Sequence, residues 1–136
     1  MCLTKICKKN VVLKKDMVVK KVVGKNHDGS LFFGVIAKIY IDIKCKQKIQ
    51  KGLNKADLQR KVVDDTYKNG KYRSYTSGFH CYLDKKSDKE IYKRWALNHY
   101  HTEKIVKFTI PAGTKVTVGI EDHHGSTVIV TPELIY

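Results

Sequence analysis

The middle of the chain reads YTSGFHCYLD over residues 75–84. Its apolar and polar letters alternate with the period of a half-buried β-strand. We expect one face of this strand, towards the core, to carry Phe79, Cys81 and Leu83. We expect the other face to carry His80 and Tyr82 and to line a ligand-binding cleft. The alternative is that His80 is a surface or hydrogen-bonded histidine of an ordinary sheet.

Two signals flank this predicted strand. Gly78 precedes it, and a glycine there either forms a tight turn or lets another group approach the backbone closely. After it, Ser87 and Glu90 have the spacing of a capping box, with Ser87 as the N-cap. An apolar stripe that includes Ile91 follows, so the sequence predicts a helix over residues 87–99.

The remaining segments predict the fold class. Alternating or β-branched runs predict strands at 31–43, 105–110, 115–120 and 127–131, besides a basic, valine-rich strand around Val18–Val23. Residues 47–63 are predicted to be helical, with Leu53, Ala56 and Leu58 on one face; alternatively, Asn54 caps a shorter helix that begins there. Asn69-Gly70 is a strong hairpin signal. We therefore predict an α+β fold in one domain, residues 1–136: a mostly antiparallel sheet with one or two packed helices.

The charge is large and uneven. The chain has 27 basic and 13 acidic side chains, and the excess of basic side chains lies within residues 1–102. Such a field attracts phosphates, nucleic acid or an acidic partner protein, although the same lysines also suit a solvated surface. Lysine supplies diffuse charge rather than bidentate contacts. Beside His80, Lys71 and Arg73 would complete an anion contact.

Cellular location is predicted from what the sequence lacks. The N-terminus has no continuous apolar stretch of the signal-peptide kind. The longest apolar run, Leu31–Ala37, is too short to span a membrane. The four cysteines lack Cys-x-x-Cys spacing, so reduced thiols and no metal site are expected. We expect a cytoplasmic protein without membrane contact, in the host cytoplasm if viral; its oligomeric state and any role of Cys2 stay open.

Two resemblances add to this interpretation. The Met1-Cys2-Leu3 start, the Gly78-Phe79-His80 motif and the segment 110–114 resemble small, uncharacterised proteins of phages and other viruses. That resemblance implies an accessory role in a virus or phage.

The layout from Val18 onward also resembles the ADP-ribosyltransferase fold, in which a strand, a helix and an Ile-Pro-x-Gly strand line an NAD pocket. The resemblance implies NAD as a cofactor, but several chemical motifs depart from the family. Lys20 and Lys21 stand where the family has Arg or His, and the Ser-Thr-Ser motif is replaced around His80. For the catalytic glutamate, only Glu121 and Glu133 are available.

Two functional hypotheses follow. The first is a non-enzymatic accessory protein without a cofactor that binds a polyanion, either a nucleic acid or another phosphate-bearing ligand, or an acidic host protein. The alternative is an ADP-ribosyltransferase-like enzyme acting on NAD or another nucleotide. We favour the first because the catalytic glutamate lacks a clear position. The predicted ligand-binding residues are His80, Tyr82, Arg73, Lys71, Lys20 and Lys21.

Overall fold

A computed structural model describes residues 3–33, 47–56, 61–63, 74–76, 78–95, 102–121 and 126–136. This part of the chain is almost entirely antiparallel β-structure. The strands are β1 (Leu3–Val12), β2 (Met17–Lys25), β3 (Leu31–Phe33), β4 (Gln47–Lys48), β5 (Leu53–Lys55), β6 (Lys61–Val63), β7 (Ser74–Thr76), β8 (Phe79–Leu83), β9 (Thr102–Ile110), β10 (Lys115–Glu121), β11 (Ser126–Thr131) and β12 (Glu133–Ile135). The helix is α1 (Asp88–Trp95).

The main sheet is curled and is organised around β2. Its strand order is β1-β10-β11-β8-β2-β9-β12-β5, with β3 and β4 attached beside β2. One edge of β2 pairs with β9 along its whole length. The other edge is shared, because β8 pairs with Val19 and Lys20 while β3 pairs with Gly24 and Lys25. Strands β6 and β7 form a separate antiparallel pair.

Both faces of the sheet are buried over β8 and β11. One face belongs to the main core, which contains Val19, Val23, Phe33, Ile49, Phe79, Cys81, Val106, Phe108, Ile110, Val116, Ile129 and Leu134. The opposite face belongs to a second cluster of Leu3, Ile6, Val22, Tyr75, Tyr82, Ile91, Val128 and Val130. Residues from β1, β7 and α1 therefore cover a face that the sequence left open.

The helix start was predicted correctly. Ser87 Oγ accepts a hydrogen bond from the Glu90 backbone N–H at 3.2 Å, as expected of an N-cap. The buried side chain of Ile91 attaches α1 to the second cluster. Residues 96–99 lie outside the described part of the chain. Within that part, no helix has the length and apolar character needed to cross a membrane.

The predicted α+β class is wrong. The segment 47–63, predicted to be helical, contains β4, β5 and β6 instead. Gly52 has a φ of 87°, which interrupts a helix there. After it, β5 pairs with β12, so pairing with a distant strand overrides the local pattern. One eight-residue helix does not form a helical layer. The architecture of the described residues therefore does not match the ADP-ribosyltransferase-like layout.

Other predicted elements can be compared directly. The strands at 79–83, 105–110, 115–120 and 127–131 correspond to β8, β9, β10 and β11, and their antiparallel pairing was also expected. Of the predicted strand 31–43, β3 is described, and its remainder and the Asn69-Gly70 turn lie outside the described residues. Gly78 allows the backbone at Thr131 to approach closely, because a Cβ at position 78 would lie 2.5 Å from the Thr131 carbonyl oxygen.

Candidate functional site

The alternation predicted for β8 is confirmed. Phe79 and Cys81 lie in the main core, and Tyr82 lies in the second cluster on the opposite face. Tyr82 is only 1% exposed, so its ring is packed inside the protein rather than presented to a cleft. Lys86 lies over this ring, with Nζ 5.0 Å from the centroid, and donates a hydrogen bond to Ser126 Oγ.

His80 belongs to a chain of hydrogen bonds. The Leu3 backbone N–H donates to the Tyr75 hydroxyl at 3.1 Å, and that hydroxyl lies 3.4 Å from His80 Nε2. His80 Nδ1 lies 3.2 Å from the Gly78 carbonyl oxygen. Because a carbonyl can only accept, Nδ1 carries the proton and Nε2 accepts from Tyr75. Both ring nitrogens are therefore engaged within the protein.

The electrostatics of His80 favour a neutral ring. Burial, together with the nearby ammonium of Lys21, lowers the pKa of His80 to about 3. The imidazole therefore carries no positive charge at neutral pH. A half-buried, uncharged and doubly hydrogen-bonded ring is suited to holding β8 in place rather than attracting an anion.

Lys20 and Lys21 do lie beside β8, but their ammonium groups have local partners. Lys20 lies opposite Tyr82 in the β2–β8 pairing. Its Nζ donates to the Lys86 carbonyl oxygen and lies 2.9 Å from Asp88 Oδ1. Lys21 Nζ donates to the His80 carbonyl oxygen at 2.9 Å, where β8 is no longer paired with β2. The two lysines therefore link β2 to β8 and α1.

The described structure gives no further support for the other residues predicted to bind a ligand. Lys71 and Arg73 lie outside the described residues. Glu121 ends β10 opposite Leu3. Glu133 begins β12 and lines an open groove with residues 111–115 and Pro132. The described residues contain no group of three or more His, Cys, Asp or Glu arranged to hold a metal ion.

A different feature of the structure is suited to binding. Five exposed lysines lie on β1, the edge strand of the sheet, and in the turn that leads from it to β2, and we call them the lysine strip: Lys5, Lys8, Lys9, Lys14 and Lys15. Strand β1 ends the order of the main sheet, so its outer edge faces no strand among the described residues. The sequence signal for the strip was the density of lysine over residues 5–25.

The irregular backbone of β1 increases the exposure of the strip. In a regular strand, Lys8 would share the buried face of Ile6. The pairing of β1 with β10 instead shifts register between Ile6 and Lys8 and again before Val11. Asn10 has a φ of 53°, and residues 7–10 are all exposed. The register shifts therefore turn neighbouring lysines towards solvent.

Within the described structure, no salt bridge involves a lysine of the strip. The salt bridges there join Lys20 to Asp88 and Lys107 to Asp84. Asp16, which follows Lys15 directly, uses Oδ1 to accept a hydrogen bond from the Ala112 backbone N–H at 2.8 Å. The strip can therefore offer five ammonium groups to an anionic ligand.

Comparisons with known proteins add no relative to this description. No protein-family model, curated protein or solved structure matches the chain.

Proposed function

We propose that this protein is a non-enzymatic accessory protein, of viral or phage origin, that binds a polyanion through the lysine strip. The polyanion with the most suitable chemistry is a nucleic acid, whose regularly spaced phosphates present many charges along one line. The observation that supports the proposal is the group of five exposed lysines on β1 and in the turn that follows it, without a salt-bridge partner among the described residues.

The residue composition of the strip is typical of binding that does not depend on nucleic-acid sequence. It contains lysine and no arginine, so it offers point charges rather than the bidentate forks that read guanine. Lys5 to Lys9 span at most about 13 Å of β1, and Lys14 and Lys15 lie in the turn that follows. Such a group of ammonium groups can contact neighbouring phosphates without reading bases.

Location in the cytoplasm belongs to the same proposal. Cys7 is exposed and Cys81 is buried, and both are free thiols. Exposed free thiols are typical of a reducing compartment. Nucleic acid of the host or of the virus is accessible there.

The test compares two variants of equal charge. In the first, the five lysines of the strip become glutamine. In the control, five exposed lysines elsewhere become glutamine: Lys25, Lys48, Lys55, Lys89 and Lys104. Binding to a fluorescent 30-base-pair DNA is measured by anisotropy as a function of salt. Because both variants lose the same net charge, only contact through the strip separates them.

We expect the strip variant to lose binding and the control to keep most of it. For five phosphate contacts, the wild-type affinity should fall roughly 500-fold between about 50 and 200 mM salt, a log–log slope of about −4.5. Equal losses in the two variants would mean that net charge alone attracts the DNA. Absence of binding at low salt to DNA, RNA and heparin would refute the proposal.

A further inference from the structure

A row of four side chains, three of them exposed, crosses four strands at the other end of the sheet. Leu53 pairs with Ile135, Ile135 with Thr109, and Thr109 with Val18, across β5, β12, β9 and β2. Directly paired residues in an antiparallel sheet lie on the same face. The three apolar members are 42%, 37% and 45% exposed, in the order Leu53, Ile135 and Val18. We call these four residues the apolar row.

The charges around the apolar row are balanced, unlike those of the chain as a whole. Acidic and basic side chains alternate there as neighbours: Lys55 opposite Glu133, Lys107 with Asp84 at 3.2 Å, and Lys20 with Asp88 at 2.9 Å. At the Val18 end of the row, Asp16 precedes β2 and itself follows Lys14 and Lys15 of the lysine strip. The three pairs are neutral together, in a chain with a net charge of +14.

We propose that the apolar row is the contact surface for a second copy of this chain. Two copies with this net charge repel each other wherever lysine dominates the surface. They can approach most easily where the local charge is neutral and apolar side chains are available. A two-fold interface also needs a self-complementary surface. Paired Lys and Glu or Asp beside an apolar row meet this requirement, because each sign finds its opposite on the partner copy.

The size of the row limits the strength of the contact. Three half-exposed aliphatic side chains and one threonine form a patch smaller than the core of a standard protein interface. We therefore expect a weak, reversible dimer rather than an obligate one. The dimer does not depend on the proposed polyanion binding. Lys5, Lys8 and Lys9 lie on β1, at the opposite end of the strand order from β5, whereas Lys14 and Lys15 precede Val18 by four and three residues.

The experiment measures self-association by sedimentation velocity from micromolar to millimolar protein concentration, without nucleic acid. Val18→Lys places a charge within the row, and Val12→Lys is the matched control. The two valines are 45% and 51% exposed, and Val12 lies on β1, outside the row. Ile135→Lys is a second variant within the row. Circular dichroism checks that each variant remains folded.

We expect wild type and Val12→Lys to dimerise similarly and Val18→Lys and Ile135→Lys to associate at least about tenfold more weakly. Added salt should strengthen the dimer, because it screens the repulsion between two basic chains. Binding of DNA to the strip should weaken with salt, so the two proposals respond in opposite directions. A wild type that remains monomeric at all concentrations overturns the proposal. Equal weakening by Val12→Lys, or a dimer that both row variants leave intact, overturns it as well.

Discussion

Tyr75 and His80 are joined side chain to side chain: the Tyr75 hydroxyl lies 3.4 Å from His80 Nε2, and the two rings meet edge-on at 73°. The same hydroxyl accepts the Leu3 backbone N–H. Three segments that are distant in sequence, β1, β7 and β8, are thereby held together on one side of the sheet. The histidine that the sequence predicts as a ligand contact is instead part of this connection.

Removing the Tyr75 hydroxyl should destabilise the protein. Tyr75→Phe leaves the buried Leu3 N–H and His80 Nε2 without their partner, at a cost of about 1–3 kcal/mol in the free energy of unfolding. Urea denaturation measures the loss. Tyr92→Phe is the control, because Tyr92 is 43% exposed and its hydroxyl bonds the Ile105 N–H near solvent. Equal losses in the two variants would contradict a special role for the Tyr75 connection.

The stability should depend on pH through His80. Its folded-state pKa, about 3, lies below the value of 6.5 expected when unfolded. The unfolded chain therefore binds the extra proton between these values, and stability is full above pH 6.5 and falls with decreasing pH. The loss is at most about 1.4 kcal/mol per pH unit.

Denaturation at pH 7.5 and pH 5 tests this dependence. The loss should be smaller in His80→Gln, whose side chain does not titrate. His27→Gln is the control, because His27 is exposed in the turn between β2 and β3. If His80→Gln and wild type lose the same stability on acidification, His80 is not the group responsible.

The two described thiols should react very differently. Cys7 is exposed on β1, whereas Cys81 is buried and its pKa is raised to about 11 by desolvation, against the opposing effect of Lys21. Because the thiolate is the reactive form, a disulfide reagent should label Cys7 quickly and Cys81 only after unfolding. A Cys2→Ser, Cys45→Ser background isolates the two thiols. Rapid labelling of Cys81 in the folded protein would contradict the burial of β8.

The sequence was informative where local patterns agree with the structure. Alternation in β8 separates Phe79 and Cys81 from Tyr82, and Ser87 marks the start of α1. It could not indicate that both sides of β8 would be covered. The side predicted to line a cleft is covered by Leu3, Tyr75 and Ile91, which come from three distant segments. Hence Tyr82 is buried, and the prediction of a cleft beside it has no support from the packing.

The same limit explains the error over residues 47–63. The spacing of Leu53 and Ala56 suits a helix, but Asn54 lies opposite Leu134 in the β5–β12 pairing. Asn54 also organises the preceding turn, with Nδ2 donating to the Gln50 carbonyl oxygen and Oδ1 accepting the Gln50 N–H, both at 3.0 Å. A three-residue strand has too short a pattern to reveal a partner eighty positions away.

The position of the lysine strip should depend on Gly119. This glycine lies opposite Ile6 in the β1–β10 pairing, and a Cβ there would lie 2.5 Å from the Lys5 carbonyl oxygen and 2.6 Å from Leu3 Cδ1. Gly119→Ala must therefore push β1 away from β10. We expect a loss of stability, faster hydrogen exchange of the β1 amides and, because the strip moves with its strand, weaker binding to DNA.

A double variant separates the two contacts. Leu3→Ala removes the side chain near Gly119 but leaves the Lys5 carbonyl oxygen in place, so adding it to Gly119→Ala should not restore protection of the β1 amides. A backbone contact at that distance cannot be relieved by a change of rotamer, whereas a leucine side chain can move. Recovery of amide protection in the double variant would show that Leu3, and not the β1 backbone, requires glycine at position 119.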